Sequence, residues 1–194
     1  MRITTLLGSP RRAGNTAHIL AAFEQRASRA HEVCRINVVD EHIEGCRGCD
    51  ACQEVLDAPG CRRRDDAEAV FARILASDAV VYATPVYVWD FTAQMKALMD
   101  RHYCLVKWRG REQPKHLLRD KKTMLLATCG GDARSNADLL EEIFRREMRY
   151  LRCRVVGTYV VPWCALPAEL GEQPAVVAER MLGDLEGSSG PRRA

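Results

Sequence analysis

Apolar positions along the chain alternate between two periods. RITTLL (2–7) is a β-branched apolar run that stops at Gly8. In TAHILAAFEQRASRA (16–30), Ile19, Leu20 and Phe23 recur at helical spacing, with Asn15 or Thr16 as the cap. EVCRINVV (32–39) reads as a strand through Val33, Ile36 and Val38, and a long loop follows it. DDAEAVFARILAS (65–77) is a helix with acidic residues at its start, where the helix dipole favours them. AVVYAT (79–84) is the continuous apolar run expected of a central parallel strand. A helix over 92–106 and a buried strand over 122–128 come next. In the helix over 136–151, Leu139, Leu140, Ile143, Phe144 and Met148 share one face. A fifth strand (155–161) and a last helix (175–185) complete the pattern.

Five such units predict an α/β fold: a doubly wound, five-stranded parallel sheet with helices on both faces. The expected organisation is one domain over 1–186, with a cysteine-rich loop at 45–64 and a flexible tail at 187–194. Ligands of such sheets sit beyond the carboxyl ends of the strands, where strand order reverses. The loops 8–16, 85–91 and 128–135 leave those ends and are expected to converge there.

Composition narrows the choices. The 194 residues are 47% apolar and 28% charged, which suits one globular domain with a sizeable core. A net charge of +3 from scattered arginines argues against a nucleic-acid partner. The first residues have too short an apolar run for a signal peptide, and no stretch reaches the ~18 apolar residues of a membrane helix. The expectation is a cytoplasmic protein that makes no membrane contact. There, nine cysteines suggest metal or redox chemistry more than disulfides. Isolated Cys34, Cys104, Cys129, Cys153 and Cys164 read as small buried hydrophobes, with Cys34 and Cys153 in strands.

GSPRRAGNT (8–16) opens the first helix after the first strand. Unpaired N–H groups and the positive dipole end there favour phosphate. Ser9, Asn15 and Thr16 add donors, and Arg11 can neutralise the charge. It is neither a Walker loop nor a G-x-G-x-x-G turn. In TPVYVWDF (84–91) a proline ends a buried strand, and Tyr87 and Trp89 can flank a flat ring or fill a subunit contact. Cys46, Cys49, Cys52 and Cys61 form a C-x2-C-x2-C-x8-C cluster. An iron–sulfur cluster, a zinc site with or without His42, a redox dithiol and a structural loop all remain open for it. His102 and His116 fall in a loop-rich region where a substrate role is the lesser reading.

GSPR-x-x-GNT, PVY-x-W-x-x-x-AQ-x-K-x-x-x-DR and TCGGD together resemble the NAD(P)H-dependent FMN reductase and iron–sulfur flavoprotein group of the flavodoxin-like superfamily, over about residues 1 to 160. The resemblance implies one noncovalent FMN per subunit at an interface of a homodimer or homotetramer. It assigns the FMN phosphate to Ser9, Arg11, Asn15 and Thr16. Pro85, Val86, Tyr87 and Trp89 would line the ribityl chain and ring, and Thr128, Cys129, Gly130 and Gly131 would approach the ring. It implies hydride from NADH or NADPH, with electrons passed to a quinone, a flavin or an iron–sulfur acceptor. The alternative is a non-catalytic flavin and [4Fe–4S] carrier reduced by a ferredoxin-type partner. In the iron–sulfur members four cysteines hold a [4Fe–4S] cluster, with a last gap of four to seven residues. Here Cys46, Cys49, Cys52 and Cys61 would hold it across a gap of eight.

Overall fold

The computed structural model describes residues 1–110 and 112–187. Five parallel strands form the main sheet: β1 (Arg2–Leu7), β2 (Glu32–Asn37), β3 (Ala79–Pro85), β6 (Lys122–Thr128) and β7 (Arg154–Val161). Their spatial order is β2-β1-β3-β6-β7, the doubly wound order of flavodoxin-like sheets. The order reverses between β1 and β3, which pair in register from Ile3↔Ala79 to Leu7↔Ala83.

Alternation along the strands supplies two cores. Val80 and Tyr82 of β3 face one side, with α2 (Ala67–Ala76), α3 (Ala93–Asp100) and α5 (Asp138–Tyr150). Ala79, Val81 and Ala83 face the other, with α1 (Asn15–Ala27) and α6 (Gln173–Gly187). Burial on both faces is why the β3 segment reads as an unbroken apolar run.

Several elements depart from the sequence reading. The helix expected over 92–106 ends at Asp100 and passes through a 3-10 turn (Arg101–Leu105) into a two-residue strand, β4 (Val106–Lys107). β4 pairs antiparallel with β5 (Lys115–His116), a small second sheet. The strand expected over 32–39 gives way at Val38 to a 3-10 turn. A short helix, α4 (Ala133–Asn136), precedes α5 and is capped by Asp132, which accepts from Arg134 N at 3.0 Å. Leu139 stands 56% exposed, so the α5 stripe is carried by Leu140, Phe144 and Met148. Cys34 lies in β2 but is exposed, and Cys153 sits in the turn before β7. α6 runs through Gly187, and the rest of the expected tail, 188–194, lies outside the described residues.

His102 is buried in the core, with Nδ1 2.6 Å from Glu147 Oε1 and its ring edge-on to Tyr82. Its ring also packs against Phe71, with ring centroids 5.8 Å apart. Burial, with Cys153 and Glu147 nearby, pushes the Tyr82 phenol well above its ordinary value. Among the described residues no helix is long and apolar enough to cross a membrane.

Candidate functional site

Four loops at the carboxyl ends of β1, β3, β6 and β7 enclose a cavity of about 400 Å3. Hydrogen bonds tie these loops into one rim. Thr16 Oγ1 and Thr128 Oγ1 lie 2.6 Å apart. Val86 N donates to Thr128 O at 2.8 Å, and Cys164 N donates to Cys129 O at 2.9 Å. Asn15 Nδ2 donates to Ala165 O at 3.3 Å, which closes the ring from the fourth loop to the first. Gly8 is packed so closely that an added Cβ would meet Met95 Cβ at 2.9 Å, and Thr92 Oγ1 donates to Gly8 O at 2.7 Å. The first loop is thereby seated on the start of α3.

The first loop delivers the polar part. α1 begins behind Gly14 with no side-chain cap, so the expected capping by Asn15 or Thr16 does not occur. Asn15 Nδ2 and Thr16 Oγ1 instead bond across the rim, to Ala165 O and Thr128 Oγ1. First-turn N–H groups of an uncapped helix are unsatisfied donors at a positive dipole end. Ser9 Oγ accepts from Arg11 N at 3.2 Å and holds the turn. Arg11 is exposed at the cavity and has no carboxylate partner among the described residues. Asn15 Oδ1 is buried beside the cavity without a partner.

Ser9, Arg11, Asn15 and Thr16 all line the cavity, as do Pro85, Val86, Tyr87, Thr128, Cys129 and Gly130. Trp89 and Gly131 are not among its lining residues. The Gly131 carbonyl accepts from Trp163 N and from Cys129 Sγ, both at 3.3 Å, and Trp89 is 54% exposed. The lining also includes Cys164 to Pro167, from the loop after β7, which the sequence reading missed. The signal was its position beyond a fifth strand end. Burial raises the Cys129 thiol, and burial with nearby Cys129 raises Cys164 to about 11, so both are neutral thiols near neutrality.

Trp89 belongs to a strained hairpin tip. Tyr87 and Asp90 exchange backbone hydrogen bonds of 3.0 and 3.1 Å around Val88 and Trp89, whose φ values are 51° and 62°. This two-residue turn with both φ positive normally takes Asn-Gly. Trp89 is held by Nε1 donating to Ser135 O at 2.9 Å, and Val88 is 86% exposed. A β-branched residue there costs about 1–2 kcal/mol without packing in return. Val88→Asn is therefore expected to raise the unfolding free energy by about 1 kcal/mol. Urea denaturation checks it, and an unchanged or lower midpoint would contradict the strain.

The cysteine loop forms a second locus. Its neck is closed where His42 N donates to Asp66 Oδ2 at 2.6 Å and Asp66 N donates to His42 O at 3.0 Å. Arg101, buried, grips Asp65 at 2.6 and 3.2 Å and Glu44 O at 2.8 Å. Above this neck Cys46, Cys49, Cys52 and Cys61 all line one pocket, with Arg47, Arg63, Arg101 and a fifth thiol, Cys104. Among the described residues no three His, Cys, Asp or Glu side chains are grouped closely enough to hold a metal ion. All nine cysteines are free thiols. Burial raises the Cys52 thiol, and the Lys107 ammonium opposes it. Burial lowers Lys107, and thiols Cys104, Cys52 and Cys61 oppose that.

The family model for NADPH-dependent FMN reductase matches residues 1–163. An iron–sulfur flavoprotein of Methanosarcina thermophila is 35% identical over 106 residues, 54% of each chain. One from Methanocaldococcus jannaschii is 31% identical over 139 residues, 72% of this chain and 66% of the relative. One from Archaeoglobus fulgidus is 25% identical over 193 residues, 99% of this chain and 84% of the relative. In the strongest of these matches the chain spans about half the length of the curated relative. Among solved structures, an NAD(P)H:quinone oxidoreductase from Methanothermobacter marburgensis superposes with a TM-score of 0.76 at 16% identity, covering 100% of this chain and 99% of that one. That likeness shows the fold. With its doubly wound sheet and its match over 163 residues, the chain belongs to the NADPH-dependent FMN reductase family.

Proposed function

We propose that the chain is an FMN-dependent oxidoreductase that accepts hydride from NADH or NADPH and passes electrons to a quinone, a flavin or an iron–sulfur acceptor. The observation that carries the reading is the uncapped start of α1 opening on a cavity beside the β1/β3 switch point. Its residues fit FMN. The first-turn N–H groups, Ser9, Thr16 and the unpartnered Arg11 guanidinium suit a phosphate dianion. The buried, unpartnered Asn15 Oδ1 suits a hydroxyl donor. Pro85, Val86 and Tyr87 offer one apolar wall, and Cys129, Gly130 and the Cys164–Pro167 segment offer another. When bound, FMN supplies the hydride and electron chemistry. The protein's part is to hold it and to shield the site.

Exposed Tyr87, Val88, Trp89, Trp163 and Leu166 cluster on the loops at the mouth of the cavity, which supports a homo-oligomer in which a second subunit completes the site. The shared name of the relatives, together with the pocket gathering Cys46, Cys49, Cys52 and Cys61, supports a [4Fe–4S] cluster held by those four thiolates.

The test mixes FMN-loaded protein with NADPH or NADH without oxygen. Loss of the flavin absorbance band with either donor is the expected result. No loss with either, but loss with reduced ferredoxin, would replace the enzyme with an electron carrier.

A further inference from the structure

The eight-residue gap between Cys52 and Cys61 is the feature of the cysteine loop least suited to one centre. A longer gap leaves Cys61 more conformations in which it stands away from the other three thiols, and ordering it costs entropy. The fold answers this with one buried side chain. Lys107 is 0% exposed, and its Nζ donates at 2.9 Å to both Cys52 O and Pro59 O. Those carbonyls stand at the two ends of the excursion, the first on Cys52 itself and the second two residues before Cys61. Among the described residues the ammonium has no carboxylate partner, so its hydrogen bonds are committed to the loop.

Neighbouring contacts act in the same sense. Gln53 Nε2 donates to Val106 O at 3.0 Å and Trp108 N donates to Gln53 Oε1 at 2.8 Å, so the Gln53 amide pairs with the backbone on either side of Lys107. Gly60 has φ 63°, and an added Cβ would meet Val55 Cβ at 2.4 Å, so the excursion folds back on itself just before Cys61. Tyr103 OH donates to Asp50 Oδ1 at 2.9 Å and Arg101 holds the neck. Apart from the Gly60 turn, these anchors come from the segment 101–108, which follows α3.

We propose that Lys107 is a positioning residue that staples the 52–61 excursion and presents Cys61 to the same centre as Cys46, Cys49 and Cys52. The proposal rests on the four-thiolate reading above. It extends that reading by assigning a role to a residue outside the cysteine motif, one that offsets this chain's long spacing.

The experiment compares wild type, Lys107→Met and Lys107→Arg after anaerobic reconstitution with ferrous iron and sulfide. Each is also digested in its iron-free form with a protease that cuts at Asp57, and circular dichroism confirms folding. Lys107→Met keeps the buried stem and removes the charge and donors. The expected result is at least a twofold lower iron content and at least a fivefold faster cut in the Met variant, with the Arg variant near wild type. Lys107→Gln, which keeps one donor without charge, replaces the Met variant should that one not fold. Equal iron and equal cutting in wild type and variant would overturn the staple. Wild type that takes up no iron would overturn the four-thiolate reading, and the staple then stands or falls on the cutting rates alone.

Discussion

Asp65→Asn is expected to lower the unfolding free energy by about 3–5 kcal/mol, the cost of leaving one member of a buried ion pair alone. The side chains of Arg101 and Asp65 are 2% and 3% exposed. Asp65 accepts two bonds from the guanidinium, a third from Glu44 N at 3.1 Å and a fourth from Ala67 N at 3.2 Å. One carboxylate thus joins the neck of the cysteine loop, the start of α2 and the end of α3. Burial alone would lower the Arg101 guanidinium, but its bonds to Asp65 outweigh this and raise it. A guanidinium is too basic to lose its proton at neutral pH, so the arginine stays charged when its partner is neutralised. Urea denaturation at neutral pH measures the loss. Replacing Arg101 by Met in the same chain is expected to recover part of it, because the stranded charge is gone. A loss below about 1 kcal/mol in the single variant would mean that the pair is hydrated and contributes like a surface bridge.

The sequence made the sheet and most of its helices legible because their signals are local. Val80, Val81 and Tyr82 form a run that only a strand buried on both faces requires. Ile19, Leu20 and Phe23 mark a face of α1 directly. What escaped depends on partners distant in sequence. β4 and β5 have two residues each, too few for any period. The role of Lys107 is set by carbonyls 48 and 55 residues away. Leu139 lies one residue, about 100° of helix, before Leu140 and so falls off the face shared by Leu140, Phe144 and Met148. Val88 and Trp89 both have positive φ, and nothing in their own neighbourhood of sequence announces that turn. The first loop and the start of α1 were legible because helix start, glycine and hydroxyl donors are adjacent, yet neither Asn15 nor Thr16 caps the helix. Thr16 and Asn15 are drawn to Thr128 and Ala165, more than a hundred residues on.

Ser9→Ala combined with Arg11→Gln is expected to weaken FMN binding at least about 30-fold, the loss of one to two charge-assisted hydrogen bonds at about 1.5–3 kcal/mol each. Arg11 contributes a charge that no carboxylate of the described chain neutralises, so it is available to a dianion. Ser9 contributes indirectly as well, since its Oγ accepts from Arg11 N and fixes the turn that aims the loop. Neither side chain carries core packing that the sheet needs. Arg11 is exposed, and Ser9, though buried, lies at the cavity wall. The fold should therefore survive with an unchanged urea midpoint in the absence of FMN. Riboflavin, which lacks the phosphate, provides the internal control. Its weaker binding should be nearly the same in wild type and variant if, as proposed, the α1 start and the two substituted residues address only the phosphate. A variant that loses FMN and riboflavin affinity equally would place the damage in the cavity as a whole. A variant that keeps full FMN affinity would remove the phosphate from the start of α1.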